Sequence, residues 1–292
     1  MRFLYLLLVC SICFALAYSA LLHANRQGDS VFEALRFNAL VAVFSAILAL
    51  ALGARQLPQR ETLLCGAAYG VALAAYLFCK SQALATGPMA ATTLIGCSSL
   101  VFQTLLGSVF WRETVTLAQI LGVVLMLAAM LCSVDGGLEK GGSRRWKLYC
   151  AGLVIANTAV GMIFKLHQST AAAAQTHELL VAGFGLGALM LGICCRILPS
   201  SARKAPPLRR KLVLWAALCS LASCGYNLLN ARLAGLLPSI VFYPVFNGSV
   251  LVFALPVSVI FFREKITGRN AVGILLAVAA VLLLGNVVSL PL

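Results

Sequence analysis

Long apolar runs separated by short polar interruptions fill this chain from one end to the other. Crossing a hydrocarbon core about 30 Å thick takes roughly 18 or more consecutive apolar residues in a helix. By that measure the pattern predicts helices over 2–22, 31–52, 62–86, 88–110, 115–133, 147–166, 177–198, 212–234, 238–262 and 270–288. The interruptions hold most of the Pro and charged residues and leave no room for a soluble catalytic domain. Met1-Arg2, an apolar run and Ala17-Tyr18-Ser19-Ala20 fit a cleaved leader in form. Leu4-Tyr5 and Leu22-His23, however, reappear at the same spacing as Leu148-Tyr149 and Leu166-His167 in the sixth segment, so a retained first helix is expected.

That recurrence extends along the chain. Phe110-Trp-Arg-Glu-Thr-Val-Thr, followed by Gly122, returns as Phe261-Phe-Arg-Glu-Lys-Ile-Thr followed by Gly273, each copy joining two apolar segments. Tyr76 and Pro88 correspond to Tyr226 and Pro238, and Glu33 to Glu178. The expected fold class is therefore an all-α integral membrane protein of ten transmembrane helices in two five-helix repeats: residues 1–135, a linker loop at 136–146, and residues 147–292. An odd number of spans per unit turns the second unit upside down relative to the first. Inverted repeats of this kind are typical of secondary transporters, whose sites lie near the midplane between the halves.

With its duplicated Arg-Glu-x-x-Thr turn before a Gly-containing last helix, the chain resembles the EamA-like, ten-helix branch of the drug/metabolite transporter superfamily over nearly its whole length. The resemblance implies a cavity lined by helices 3, 4, 8 and 9 with parts of 1, 2, 6 and 7, helices 5 and 10 at the periphery, and termini inside the cell. It leaves the substrate open among amino acids, drugs, metabolites and sugar derivatives. The repeated motif itself reads as structural. Glu113 and Glu264 stand beside the partial positive charge of a helix N-terminus, Thr116 or Thr267 can cap it, and Arg112 and Arg263 fall at headgroup level. Gly183-x-x-x-Gly187 reads as a place of close helix approach.

Composition agrees with lipid as the solvent: 62% of residues are hydrophobic and 10% charged, too few polar groups to cover a soluble globule of 292 residues. The formal net charge of +14 gathers in short loops such as Arg203-Lys-Ala-Pro-Pro-Leu-Arg-Arg-Lys. Basic loops beside membrane helices meet anionic headgroups, whereas a nucleic-acid domain clusters its basic and aromatic residues on one solvated face; no nucleic-acid partner is expected. The side with both termini holds Arg2, Arg55, Arg60, Arg112, Lys165 and Arg232, and most of the 22 Lys and Arg fall on the other. The positive-inside rule then puts the termini outside the cytoplasm, against the family resemblance.

The 11 cysteines, Cys10, Cys13, Cys65, Cys79, Cys97, Cys132, Cys150, Cys194, Cys195, Cys219 and Cys224, lie in or at the ends of apolar segments without zinc-type spacing and act as small hydrophobes. No metal or other cofactor is expected. A phosphate-cradling Gly loop with Lys-Ser/Thr is missing from the sequence, so energy must come from a gradient. His23 and His167 are repeat-related, with His177 and Glu178 nearby, and read as polar flanks rather than metal ligands.

Polar residues on shared helical faces mark the pathway. Ser239, Tyr243 and Asn247 recur every four residues on helix 9, which also holds Pro244 and Pro256. Helix 4 offers Thr92, Ser99 and Gln103; helix 8 offers Ser220, Ser223, Tyr226, Asn227 and Asn230; helix 3 offers Tyr69, Tyr76 and Lys80. On helix 6, Asn157, Gly161 and Lys165 align, and Lys165 is near enough to the helix end to snorkel. Arg36 has Glu33 as a possible ion-pair partner at i−3. Interhelical hydrogen bonding accounts for single Ser and Thr residues; the amides are costly in hydrocarbon unless they meet a partner, water or a ligand. The candidate substrate-binding residues are Tyr76, Lys80, Gln103, Asn157, Tyr226, Asn227, Asn230, Tyr243 and Asn247.

All eight acidic residues fall in loops or first helical turns. A proton-coupled exporter of organic cations needs a buried carboxylate, so the pattern favours neutral, zwitterionic or anionic solutes. The expectation is a non-enzymatic secondary transporter moving an amino acid or related small polar metabolite by alternating access. A multidrug exporter and an integral-membrane enzyme acting on a lipid-linked substrate are the alternatives. Expected partners are a small-molecule solute, membrane lipids, a coupling proton or sodium ion and a second copy of the chain, in the plasma membrane of a bacterium.

Overall fold

The computed structural model describes residues 2–24, 31–87, 92, 95–96, 98–133, 143–197, 210–262 and 268–286, with the side chains of 2–5, 19–24, 133, 251–262, 270, 282 and 285–286 left out. Among them run ten α-helices: α1 Arg2–Ala24, α2 Val31–Gly53, α3 Arg60–Thr86, α4 Ser99–Phe110, α5 Leu117–Ser133, α6 Arg144–Gln168, α7 Thr176–Ile197, α8 Arg210–Leu236, α9 Ser239–Phe262 and α10 Gly268–Asn286. No strand occurs among the described residues. Each helix overlaps one apolar segment read from the sequence, α4 only over the second half of 88–110, since most of 88–98 lies outside the described residues. Helices α2, α3, α6, α7 and α8 are long and apolar enough in their described residues to cross a membrane.

The outer surface is as apolar as the interior. Val109, Phe110, Leu117, Ile155, Ile197 and Leu275 are each at least 70% exposed, a pattern that water would penalise and acyl chains welcome. The helices stop where the chain chemistry changes: Pro58 separates α2 from α3, and Pro238 separates α8 from α9. The N-terminus of α6 is capped by Ser143, whose hydroxyl accepts from the Trp146 amide at 3.2 Å. Helix α1 packs on α8 and α9, placing Leu8 and Ala15 in the main core.

Each helix in the second half meets elements of the first. The α2–α7, α4–α9 and α5–α10 pairs all run antiparallel. Leu35 clusters with Leu191 while Gly53, at the other end of α2, lies under the His177 ring at the start of α7. Gln103 meets Asn247 while Gly107 faces Ser239. Gly122 faces Ala280 and Leu284, and Arg269 donates to the Leu131 carbonyl at 2.7 Å. Helix α3 packs on α6 and α7, as α8 packs on α1 and α2. Helices α5 and α10 pair with each other at the side of the bundle and meet the rest at α9 and at Leu100 of α4.

Small residues set the closest approach. A Cβ on Gly70 would lie 2.7 Å from the Gly183 carbonyl, and one on Gly183 would overlap the Tyr69 ring. Gly183 and Gly187 therefore let α7 lie against the α3 backbone, as their spacing predicts.

Candidate functional site

Three polar stripes meet along the seam of α4, α6 and α9. On α4 the positions are Ser99, Gln103 and Gly107; on α6, Asn157, Gly161 and Lys165; on α9, Ser239, Tyr243 and Asn247. Steps of four keep each set on one face, about 6 Å apart along the axis. Asn157 Nδ2 donates to Ser99 Oγ at 2.6 Å, and Gln103 Nε2 donates to the Asn157 carbonyl at 2.7 Å. Asn247 Nδ2 donates to Gln103 Oε1 at 3.3 Å and to the Tyr243 carbonyl at 3.1 Å. The Tyr243 hydroxyl donates to the Gly161 carbonyl at 2.9 Å. Gln103, Asn157, Tyr243 and Asn247 thus form one connected group, contributed by both halves of the chain.

One step further along the same seam, Lys165 forms an ion pair with Glu113, which lies on the loop between α4 and α5. Glu113 Oε2 also accepts from the Ser239 amide at 2.7 Å, and Oε1 from the Ser239 hydroxyl at 3.1 Å. Only 8% of the Lys165 side chain and 13% of the Glu113 side chain is exposed, and the Lys165 ammonium lies 5.5 Å from the centroid of a Trp111 ring. This corrects two expectations. Lys165 is not snorkelling to a headgroup. Glu113 does not serve its own helix but the N-terminus of α9, in the other half.

The cap of α5 belongs to Thr116 and Gln119, which satisfy each other: Thr116 N donates to Gln119 Oε1 at 2.9 Å and Gln119 N to Thr116 Oγ1 at 3.3 Å. Arg112 is exposed and takes a positive φ of 50°, in the left-handed region where Gly usually closes a helix. With the Glu113 amide donating to the Ser108 carbonyl at 2.9 Å, this turn aims the Glu113 side chain back across the seam. The second copy of the motif, with Arg263, Glu264 and Thr267, lies outside the described residues, as do Pro88 and the side chains of His23 and Pro256.

The remaining candidates lie apart from this seam. The Tyr69 hydroxyl donates to Asn227 Oδ1 at 3.1 Å, and Asn227 Nδ2 to the Ser223 carbonyl at 2.9 Å, tying α3 to α8. Tyr226 stacks at a tilt on Tyr18 with centroids 5.7 Å apart. Lys80 Nζ is 3.5 Å from the Tyr76 hydroxyl and 5.6 Å from its ring centroid. Asn230 Oδ1 is buried with no hydrogen-bond partner among the described residues.

A further polar network closes the end of the bundle that bears loops 54–59, 111–116 and 169–175. Glu178 Oε1 accepts from the amides of Arg55 and Gln56 at 3.1 and 3.2 Å. Gln175 Oε1 accepts from the Gln59 amide and the Thr62 hydroxyl, both at 2.8 Å. His167 Nε2 is 3.3 Å from Thr62 Oγ1, and His177 Nε2 is 3.3 Å from Arg232. His167 and His177 thus make polar contacts at this end; among the described residues no group of three metal-binding side chains occurs. Thr62, Gln175 and Glu113 have no local signal of these roles, since each partner is over 50 residues away. Only the α6 stripe points towards the last of them.

Residues 1–134 match the model of the EamA-like transporter family. No curated protein matches the chain in sequence. A solved structure described as "Crystal structure of protein" is similar in fold, with a TM-score of 0.74 and 15% identity over 98% of each chain. Residues 1–134 are thus similar to an EamA-like transporter unit, consistent with the drug/metabolite transporter superfamily, and the apolar helices fit a membrane protein.

Proposed function

We propose that the protein is a secondary transporter that moves a small polar metabolite, an amino acid or a related neutral, zwitterionic or anionic solute, by alternating access between two inverted halves, residues 1–135 and 147–292, joined by the linker 136–146. The observation that carries this reading is the seam of α4, α6 and α9, where amides and a tyrosine from both halves meet inside an apolar bundle. Buried amides retained at an interface between halves suit a site whose partners are exchanged for a ligand when the halves move. Antiparallel packing of α2 on α7, α4 on α9 and α5 on α10 supports the inversion, since each helix crosses its own counterpart head to tail.

Hydrogen bonds between the halves at the end bearing loop 54–59 support a state closed on that side. In the transport cycle the opposite end would then give access to Lys80, Tyr76 and Tyr226, with Asn227 and Asn230 further along α8 towards the closed end, and these residues complete the proposed path with those of the seam. The nearly buried carboxylate at the seam, Glu113, is neutralised by Lys165, which keeps the preference for neutral, zwitterionic or anionic solutes over lipophilic cations. The expected setting is a bacterial plasma membrane, with a proton or sodium ion as coupling ion and a homodimer as assembly.

Uptake and counterflow of a mixed metabolite panel in proteoliposomes, with and without a pH or sodium gradient, tests the reading. Gradient-dependent movement of amino acids or related solutes is expected. Movement of lipophilic cations alone would favour the multidrug alternative, and chemical alteration of a lipid without any solute movement would favour an enzyme.

A further inference from the structure

We infer that Lys165 is the residue that holds the carboxylate of the transported solute, and that Glu113 is an internal stand-in for that carboxylate in the closed state. This rests on the transporter reading above and assigns the charged group of its substrate.

The Glu113 carboxylate has three donors around it: the Lys165 ammonium, the Ser239 hydroxyl and the Ser239 backbone N–H at the start of α9. A free amino acid or keto acid presents the same group and makes the same bonds. The donors belong to α6 and α9 in one half, while Glu113 comes from a loop of the other. Separation of the halves at this end would withdraw the carboxylate and leave the donors behind.

Lys165 cannot then stay as it is, because a nearly buried ammonium without a counter-charge is strongly unfavourable. Water or an anion must replace Glu113. Gln103 reaches α6 beside Gly161, one helical step or about 6 Å from Lys165, and Asn157 and Asn247 bond to it a further step on, so the remainder of a small solute whose carboxylate lies on Lys165 extends towards Gln103 first. A solute carboxylate would therefore favour opening by substituting for the lost ion pair. A solute lacking that group would leave Lys165 unpaired, so the same contact selects the cargo.

The test uses the full chain in proteoliposomes, comparing amino acids with their methyl esters in counterflow for the wild type, Lys165→Gln and Glu113→Gln. In the wild type, amino acids should be preferred over esters. Lys165→Gln should reduce that preference by about tenfold or more, the scale of one charge-assisted hydrogen bond. Glu113→Gln removes the competitor and should lower the amino-acid concentration that half-saturates transport. Unchanged preference in Lys165→Gln, or loss of amino-acid transport in Glu113→Gln as severe as in Lys165→Gln, would overturn the assignment and leave the pair as a strut. If Lys165→Gln does not fold, thermal stabilisation of detergent-solubilised Glu113→Gln by the same amino acids decides. Greater stabilisation than in the wild type supports the assignment, and equal or smaller stabilisation overturns it. A wild type that moves neither amino acids nor esters nor any other solute removes the transporter reading itself. One that moves amino acids and esters equally keeps that reading and removes only the role of Lys165.

Discussion

The Tyr243 hydroxyl donates to the Gly161 carbonyl at 2.9 Å, joining α9 to α6 at a point where α4 also arrives. A Cβ built on Gly161 would lie 2.7 Å from Gln103 Nε2 and 3.0 Å from the Tyr243 ring. The glycine therefore sets the spacing of the whole amide group. Gly161→Ala should push Gln103 and Tyr243 apart, at a cost of about 1–3 kcal/mol for overpacking. The expected result is a lower melting temperature together with reduced counterflow. Normal transport with unchanged melting would show that the seam tolerates separation.

Arg112 tests the turn that aims Glu113. A non-glycine residue in the left-handed region costs about 1–2 kcal/mol, which Gly does not incur. Arg112→Gly should stabilise the protein by about 1 kcal/mol on that account, provided its exposed guanidinium has no compensating role. Thermal or denaturant unfolding in detergent measures it. A fall in stability would mean that the Arg side chain contributes more than its backbone costs.

These two sites show what was legible in the sequence. Long apolar runs located all ten helices, because the bilayer requirement on length and hydropathy leaves few alternatives. Steps of three, four and seven also placed polar stripes on α3, α4, α6, α8 and α9 before any packing was known. Which stripes would meet was not legible, since Gln103 and Asn247 are brought together by the crossing of α4 and α9 across 144 residues. Glu113 was harder still. Its position before α5 suits a cap for that helix, yet Thr116 and Gln119 fill the role and a left-handed turn at Arg112 sends the carboxylate elsewhere.

The Tyr69–Asn227 bond ties α3 to α8 in a tightly packed place, where Tyr69 also meets Phe164 with centroids 4.8 Å apart. Tyr69→Phe keeps the ring and leaves Asn227 Oδ1 unpaired. A double-mutant cycle with Asn227→Leu should give a coupling of about 0.6–1.7 kcal/mol, the range for hydrogen bonds between membrane helices. Additive effects on unfolding would show that the bond contributes nothing net.

The charge distribution predicts an orientation that labelling can test. The loop around Ser201, outside the described residues, carries Arg203, Lys204 and Arg209, with Arg210 opening α8, and Lys165 drops out of the opposing count because it is ion-paired in the seam. A membrane-impermeant thiol reagent should label a cysteine at Ser201 only from the cytoplasmic face, in a variant whose accessible native cysteines are replaced. Labelling from outside intact cells would instead put the termini in the cytoplasm, as the family resemblance implies.

Asn230 and Asn247 separate ligand binding from packing. Asn247 already donates to Gln103 and to the Tyr243 carbonyl, so Asn247→Leu breaks an interhelical contact as well as any contact with the solute. Asn230 Oδ1 is buried without a partner among the described residues, and removing such a group should cost little stability or even raise it. Both substitutions should weaken the apparent affinity for solute by about fivefold or more, the equivalent of about 1 kcal/mol. Only Asn247→Leu should also lower the melting temperature. Counterflow half-saturation measured beside thermal unfolding reads both quantities on the same preparations. Unaltered affinity in Asn230→Leu with a gain in stability would make this asparagine a local packing defect and confine the solute to the seam of α4, α6 and α9.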